Sequence, residues 1–309
     1  MIKNILITGG AGNLGRVVSE ELQDRYNITL FDRVKPQDAR IPWETKLPFV
    51  LGDLTDFGDC MRGIAFAQAD AVLHFGALAG PTELMPPRYQ QNAREDETFR
   101  VNTMGTYYMI DAARRLGVQR FAMASTFYVL SVDFNISGKP FWPEYLPIDE
   151  NHPCEPESTY GLSKLLDEQI LKTFQRTYGI GTVAFRLMGV EYAHRPVHKY
   201  NIRPDAKPGH VGGPMGTTWQ YVEARDIAQA CDLYLQSEGF PKFEAFYLST
   251  DSALAEETAD AVRRLYPDIA HLADGLKGCE GIISIKKAQE MLGYQPKHSW
   301  RNQENAPSE

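Results

Sequence analysis

The chain has 309 residues, a formal net charge of −8, and hydrophobic and charged shares of 43% and 23%. This is an ordinary globular composition, long enough for one large α/β domain or a main domain with a smaller lobe. The acidic balance argues against a nucleic-acid binder, which needs a basic face, and no stretch approaches the apolar length of a membrane span. Cys60, Cys154, Cys231 and Cys279 form no close pair, so neither a zinc site nor a disulfide framework is expected. The first residues meet glycine too early for a signal peptide, and a cytoplasmic protein is the expectation.

In chain order, short apolar runs predict strands over residues 4–8, 28–31, 49–51, 71–75, 121–124 and 182–187. Amphipathic stretches between them predict helices over 14–25, 56–67, 97–116 and 160–178. Repeated strand–helix–strand order implies right-handed crossovers and a doubly wound parallel sheet with helices on both faces. Residues 190–220, rich in Pro, Gly and His, read as loop. A helix over 225–236, a strand over 245–248 and helices over 256–265 and 286–292 follow, and the polar residues 301–309 read as a frayed tail.

Thr8-Gly9-Gly10-Ala11-Gly12-Asn13-Leu14-Gly15 follows the first strand and opens the first helix. Glycines at 9, 12 and 15 allow a tight turn, close approach of a pyrophosphate, and close helix–strand packing. The helix N-terminus then offers free N–H groups and a positive dipole end to the phosphates, which points to a dinucleotide. Asp32 ends the second strand at the distance where an acid accepts the ribose hydroxyls. A carboxylate there repels the 2′-phosphate of NADP and favours NAD, although Arg33 beside it could pair with that phosphate. Asp53, next to Leu54 after the third strand, either faces the adenine amino group or caps the following helix. Phe75, Gly76 and Ala77 end the fourth strand, where a cofactor passes close to backbone or where small residues simply pack.

Tyr160 and Lys164, four residues apart, share one helix face. An ammonium beside the phenol favours the phenolate and brings a group of pKa about 10 toward a useful range. Ser125 and Thr126 end the fifth strand on the carboxyl edge of the sheet, where a hydroxyl can hold a substrate oxygen.

Together the glycine turn, Asp53, Asn102 in Val101-Asn102-Thr103-Met104-Gly105-Thr106, the Ser125-Thr126 pair and Tyr160-Gly161-Leu162-Ser163-Lys164 resemble the extended short-chain dehydrogenases/reductases, the NAD-dependent epimerase/dehydratase family. The resemblance runs through residues 1–190 and returns at 221–230. It implies a Rossmann-type domain over 1–190 and a small α/β substrate lobe over 191–300, interleaved with it. It also implies that Tyr160 transfers the proton and that Lys164 bonds the nicotinamide ribose. Thr126 matches the catalytic Ser/Thr, with Ser125 beside it. Asn102 orders the site behind the nicotinamide, and Leu187 lines the nicotinamide side. The cofactor set is then Gly9, Gly12, Asn13, Leu14, Gly15, Asp32, Arg33, Asp53, Leu54, Phe75, Gly76, Ala77, Asn102, Tyr160, Lys164 and Leu187.

Two departures bear on the substrate. A longer insertion through Phe141-Trp142-Pro143 follows the catalytic Thr, as a lid or as a shield for the sheet edge. Only about thirty residues separate Gly189 from Tyr221, a stretch that in nucleotide-sugar enzymes of this branch is much longer and grips the nucleotide. A smaller sugar or sugar acid is therefore expected, with Thr126, Arg186 and Arg195 as substrate contacts. Arg186 reads equally as a structural salt bridge. Arg195 belongs to a locally basic stretch that is either an anion contact or a solvated loop. Dehydrogenase and epimerase both stay open, with a nucleotide-sugar epimerase of reduced lobe and a non-catalytic NAD sensor as alternatives. Apolar residues on more than one face of the helices over 97–116 and 160–178 suggest a homodimer.

Overall fold

The computed structural model describes residues 2–80, 96–132, 136–139, 141–193, 219–250 and 252–304. The elements run β1 (Asn4–Thr8), α1 (Asn13–Leu22), β2 (Asn27–Asp32), β3 (Phe49–Leu51), α2 (Phe57–Ala67) and β4 (Ala71–His74). A helical turn at Glu97–Phe99 and a π-helical stretch at Arg100–Met104 lead into α3 (Gly105–Arg115) and β5 (Arg120–Thr126). Then come α4 (Thr159–Tyr178), β6 (Gly181–Leu187), β7 (Gly189–Glu191), β8 (Tyr221–Glu223), α5 (Ala224–Gln236) and β9 (Glu244–Leu248). Helices α6 (Thr258–Leu265), α7 (Lys286–Leu292) and α8 (Trp300–Glu304) close the described chain.

The seven-stranded sheet has the order β3-β2-β1-β4-β5-β6-β9, and the pairs β1–β2, β1–β4, β2–β3 and β4–β5 are parallel. Strands β4 and β6 are buried at every position, so they show no alternation of buried and exposed residues. Strand order reverses between β1 and β4, and ligands of doubly wound sheets bind outside the carboxyl ends of the strands at such a switch point.

The chain divides into two compact units that interleave in sequence. The first comprises residues 1–125, 158–185 and 228–245, and the second 126–157, 186–227 and 246–309. A continuous core of the first unit joins Leu6, Phe31, Val72, Met109, Phe121 and Leu171, all fully buried. The second unit has its own cluster around Trp219, Leu254, Val262 and Leu265.

Several boundaries differ from the sequence expectation for identifiable reasons. Helix α1 stops at Leu22 instead of residue 25, because the Arg25 and Tyr26 N–H groups turn back to the Leu22 carbonyl. The side chains of Arg25 and Tyr26 both reach Asp232 on α5. The expected helix over 97–116 is interrupted by the π-helical stretch. Residues 190–220 are not all loop, since β7 pairs in parallel with β8 with Val190 opposite Val222; residues 194–218 lie outside the described set. Arg301 is no part of a frayed tail: its guanidinium donates to the carbonyls of Ser252 and Leu254, both at 2.6 Å.

Candidate active site and cofactor cradle

The turn after β1 is built on absent side chains. Gly9 has φ +67°, and a Cβ there would stand 2.7 Å from the Gly76 nitrogen in the turn after β4. A Cβ on Gly15 would meet the Gly9 carbonyl oxygen at 2.3 Å. The Gly12 N–H closes the turn on the Gly9 carbonyl at 3.0 Å, and α1 starts at the next residue with its first amides unclaimed by the helix itself. Gly76 in turn donates its N–H to Thr8 Oγ1 at 3.1 Å, tying the two strand ends together.

A cavity of about 280 Å³ opens over this turn, wholly within the first unit. Gly9, Gly12, Asn13, Leu14 and Gly15 form its floor, and Asp32, Arg33, Asp53 and Leu54 line one end. Phe75, Gly76 and Ala77 line it after β4, together with Leu78, Glu97, Arg100 and Val101, which sequence reasoning did not single out. Asp32 accepts the Ala11 N–H at 3.1 Å and the Val34 N–H at 3.3 Å. Burial raises its carboxyl above the ordinary range, and the Ala11 amide opposes that shift. Trp43 donates its indole N–H to the Ala11 carbonyl at 3.2 Å, clamping the segment after β2 onto the glycine turn. Of the two roles open for Asp53, the helix cap falls to Asp56 instead, whose side chain accepts the Asp59 N–H. Asp53 Oδ1 closes a local turn by accepting the Thr55 N–H and hydroxyl, each at 2.8 Å.

These residues fit a dinucleotide. The Cβ-free cradle and helix amides suit two phosphates, and the acid ending β2 suits a ribose diol.

The Tyr160/Lys164 pair sits in the first turns of α4, which starts cleanly because Ser158 Oγ accepts the Gly161 N–H at 3.1 Å. Ser163 donates to the Tyr160 carbonyl at 2.8 Å and accepts from Asn102 Nδ2 at 3.0 Å. Asn102 lies on the π-helical stretch and grips Leu78 twice, accepting its N–H at 2.8 Å and donating to its carbonyl at 3.2 Å. Leu78 lines the cavity, so Asn102 fastens that wall to the helix carrying Tyr160. Asn102, Tyr160, Lys164 and Leu187 are not themselves among the cavity-lining residues.

Lys164 is 2% exposed, and its Nζ stands 3.8 Å from Asp167 Oδ2. Burial lowers the lysine from its ordinary value, with Asp167 and Glu168 opposing, and burial raises Asp167. Ser125 donates its hydroxyl to Glu168 Oε1 at 2.6 Å. Thr126 begins the second unit; its Oγ1 accepts the Tyr128 N–H at 3.2 Å and caps the short turn Phe127–Leu130. Beneath the site, His74 bridges Thr8 Oγ1 at 2.8 Å and Thr106 Oγ1 at 3.2 Å, and its burial holds the imidazole down to about 3. Asp167, Glu168 and His74 are not singled out by the sequence, since no motif or spacing marks them as partners of the site.

In the second unit, Arg186 is 6% exposed and lies over the Tyr247 ring at 5.2 Å, with an N–H to the Tyr247 hydroxyl at 3.3 Å. Glu150 accepts the Tyr247 N–H at 2.8 Å, and burial raises its carboxyl against the nearby Lys287 and Arg186 charges. Trp142 packs edge-on against Tyr266 at 5.9 Å, which anchors the aromatic insertion within that unit. Arg195 lies outside the described residues.

A family model described as the NAD dependent epimerase/dehydratase family matches residues 5–247. The chain is 29% identical to a putative UDP-glucose 4-epimerase of Methanocaldococcus jannaschii over 60% of its own length and 55% of that protein. It is also 29% identical to a uronate dehydrogenase of Pseudomonas putida over 59% of each chain. The chain thus spans little more than half the length of these relatives. In fold it is similar to a short-chain dehydrogenase/reductase superfamily protein of Agrobacterium tumefaciens solved with bound NAD, with TM-score 0.67 and 24% identity over 96% of this chain and 93% of that one.

Proposed function

Since the chain belongs to the NAD dependent epimerase/dehydratase family, we propose that it is an NAD-dependent oxidoreductase acting on a hydroxyl-bearing carbon of a sugar or sugar acid. The observation that carries this reading is the tie from the cavity through Leu78, Asn102 and Ser163 to the helix bearing Tyr160 and Lys164.

NAD held in the cradle would supply the hydride acceptor. Its phosphates would be held by the open amides at the start of α1, from Asn13 on, and its adenosine ribose by Asp32. Tyr160 Oη takes the proton of the substrate hydroxyl, and the Lys164 ammonium favours the phenolate that does so. Thr126 holds the substrate oxygen. Asn102 keeps Tyr160 in register with the cavity wall.

The short stretch between Gly189 and Tyr221 supports a substrate without a nucleotide, and the uronate dehydrogenase relative supports a sugar acid. Arg195, in the basic stretch, and Arg186 are the residues proposed to meet its carboxylate. The epimerase relatives support a second reading, in which the hydride returns to the same substrate. Exposed Tyr107 on α3 and Leu162 on α4 support a homodimer, and a cytoplasmic location belongs to the same proposal.

Incubating the purified protein with NAD and a panel of uronates, aldoses and UDP-sugars separates the readings. NADH accumulating with a uronate or aldose supports a dehydrogenase. Product forming from a UDP-sugar without net NADH supports the epimerase, and no turnover with any of them contradicts both.

A further inference from the structure

Asp167 is a buried carboxylate beside the Tyr160/Lys164 pair to which the proposed chemistry gives no task. Its side chain is 0% exposed, and no well-formed hydrogen bond reaches either of its oxygens among the described residues, although the Thr106 hydroxyl faces it. A carboxylate taken out of water without such bonds is costly unless an opposite charge lies beside it. Lys164 Nζ, 3.8 Å away and itself 3% exposed in its side chain, supplies that charge.

The other groups facing the pair do not replace this role. Glu168, next along α4, has its carboxylate engaged by the Ser125 hydroxyl at 2.6 Å. His74 on β4 is neutral and bridges two threonines. Thr106 on α3 and Tyr160 on α4 carry no charge while protonated. A buried ammonium whose one closely paired anion is removed tends to lose its proton.

We propose that Asp167 is the counter-ion that keeps Lys164 charged inside the first unit, and thereby a positioning residue for the Tyr160 phenolate. The inference rests on the proton-transfer role proposed for Tyr160. Asp167 touches no reacting atom and acts only through the lysine. Burial lowers Lys164 and raises Asp167, so each charge depends on the other. Removing the negative member tips the lysine toward its neutral form, which no longer favours the phenolate.

The titrations read Tyr160 directly and need no substrate. Phenolate absorbance near 295 nm is titrated with saturating NAD, and Tyr160 is isolated by subtracting the Tyr160→Phe protein. Asp167→Asn is expected to raise the Tyr160 midpoint by about one pH unit or more, that is, tenfold less phenolate at a given pH. Asp167→Glu, which keeps the charge, is expected to stay near the wild-type midpoint. Lys164→Met is expected to raise the midpoint by itself, and adding Asp167→Asn to it is expected to change nothing further. Should Asp167→Asn fail to fold, Asp167→Glu against Lys164→Met still reads the charge dependence, and equal midpoints in those two proteins overturn the proposal. An unchanged or lowered midpoint in Asp167→Asn, with the wild-type midpoint below the ordinary value near 10, overturns the counter-ion role alone. A wild-type midpoint at or above that value, with turnover surviving in Tyr160→Phe, removes the proton-transfer reading and the counter-ion role with it.

Discussion

Asp32 and Gly15 carry opposite kinds of information about the cofactor, one through a charge and the other through a missing atom. Asp32 presents a partly buried carboxylate at the end of β2, held by the Ala11 and Val34 amides. Replacing it by Asn removes the charge that repels a 2′-phosphate while leaving Arg33 in place. Asp32→Asn is therefore expected to shift the NADP/NAD affinity ratio by tenfold or more toward NADP, about 1.4 kcal/mol, measured by parallel titrations. At Gly15 an added methyl would stand 2.3 Å from the Gly9 oxygen, so the turn must move. Gly15→Ala is expected to lose about 1–3 kcal/mol of stability, the cost of overpacking a tight site, and to weaken NAD binding at least tenfold. Both positions are legible in the sequence because each residue type has one strong reason to stand there. Asp53 was less so: a lone acid after a strand can cap, turn or bind, and only the geometry puts the helix cap on Asp56.

At the scale of elements, the strands and long helices follow from periodicity, and what periodicity misses is where an element bends or ends. The π-helical stretch at Arg100–Met104 inserts an irregular turn into a helix that otherwise reads as continuous. It carries the Asn102 side chain that reaches both Leu78 and Ser163, and π-turns of this kind recur at functional sites. The buried His74 ties β1, β4 and α3 together through Thr8 and Thr106. Its imidazole sits at about 3 in the folded chain against an ordinary 6.5. Below pH 6.5 the unfolded chain takes up a proton that the folded chain refuses, so this contribution is complete above 6.5 and is lost as pH falls toward 3. Between pH 7 and pH 5 it amounts to about 2 kcal/mol. Denaturant titrations should show that decline in the wild type and a flatter profile in His74→Gln; equal slopes would remove the assignment.

For the whole molecule, the two units differ in how much of them the sequence reveals. The first unit's order of strands and helices is dense with signals, its central strands β1 and β4 almost wholly buried and the turn after β1 marked by glycines. The second unit is assembled from distant stretches by single polar links. Gln220 bridges Ser249 and Ile283, and Arg301 reaches Ser252 and Leu254. Such links have no periodicity to betray them, which is why β7, β8 and the Trp300–Glu304 helix escape a reading by pattern. Because the cradle lies within the first unit, NAD binding should stabilise that unit by mass action. At a hundred times the dissociation constant the gain is about 2.7 kcal/mol, read as a rise in the thermal midpoint that grows with the logarithm of NAD concentration. The central claim is that the cradle and the Tyr160/Lys164 helix form one proton- and hydride-transfer site. Its most direct test compares wild type and Tyr160→Phe side by side, for NAD binding by calorimetry and for turnover of the sugar identified in the panel. The account predicts equal NAD affinity and a loss of turnover of at least a hundredfold, the low end of what a positioned acid or base contributes. Unchanged turnover in Tyr160→Phe would contradict it.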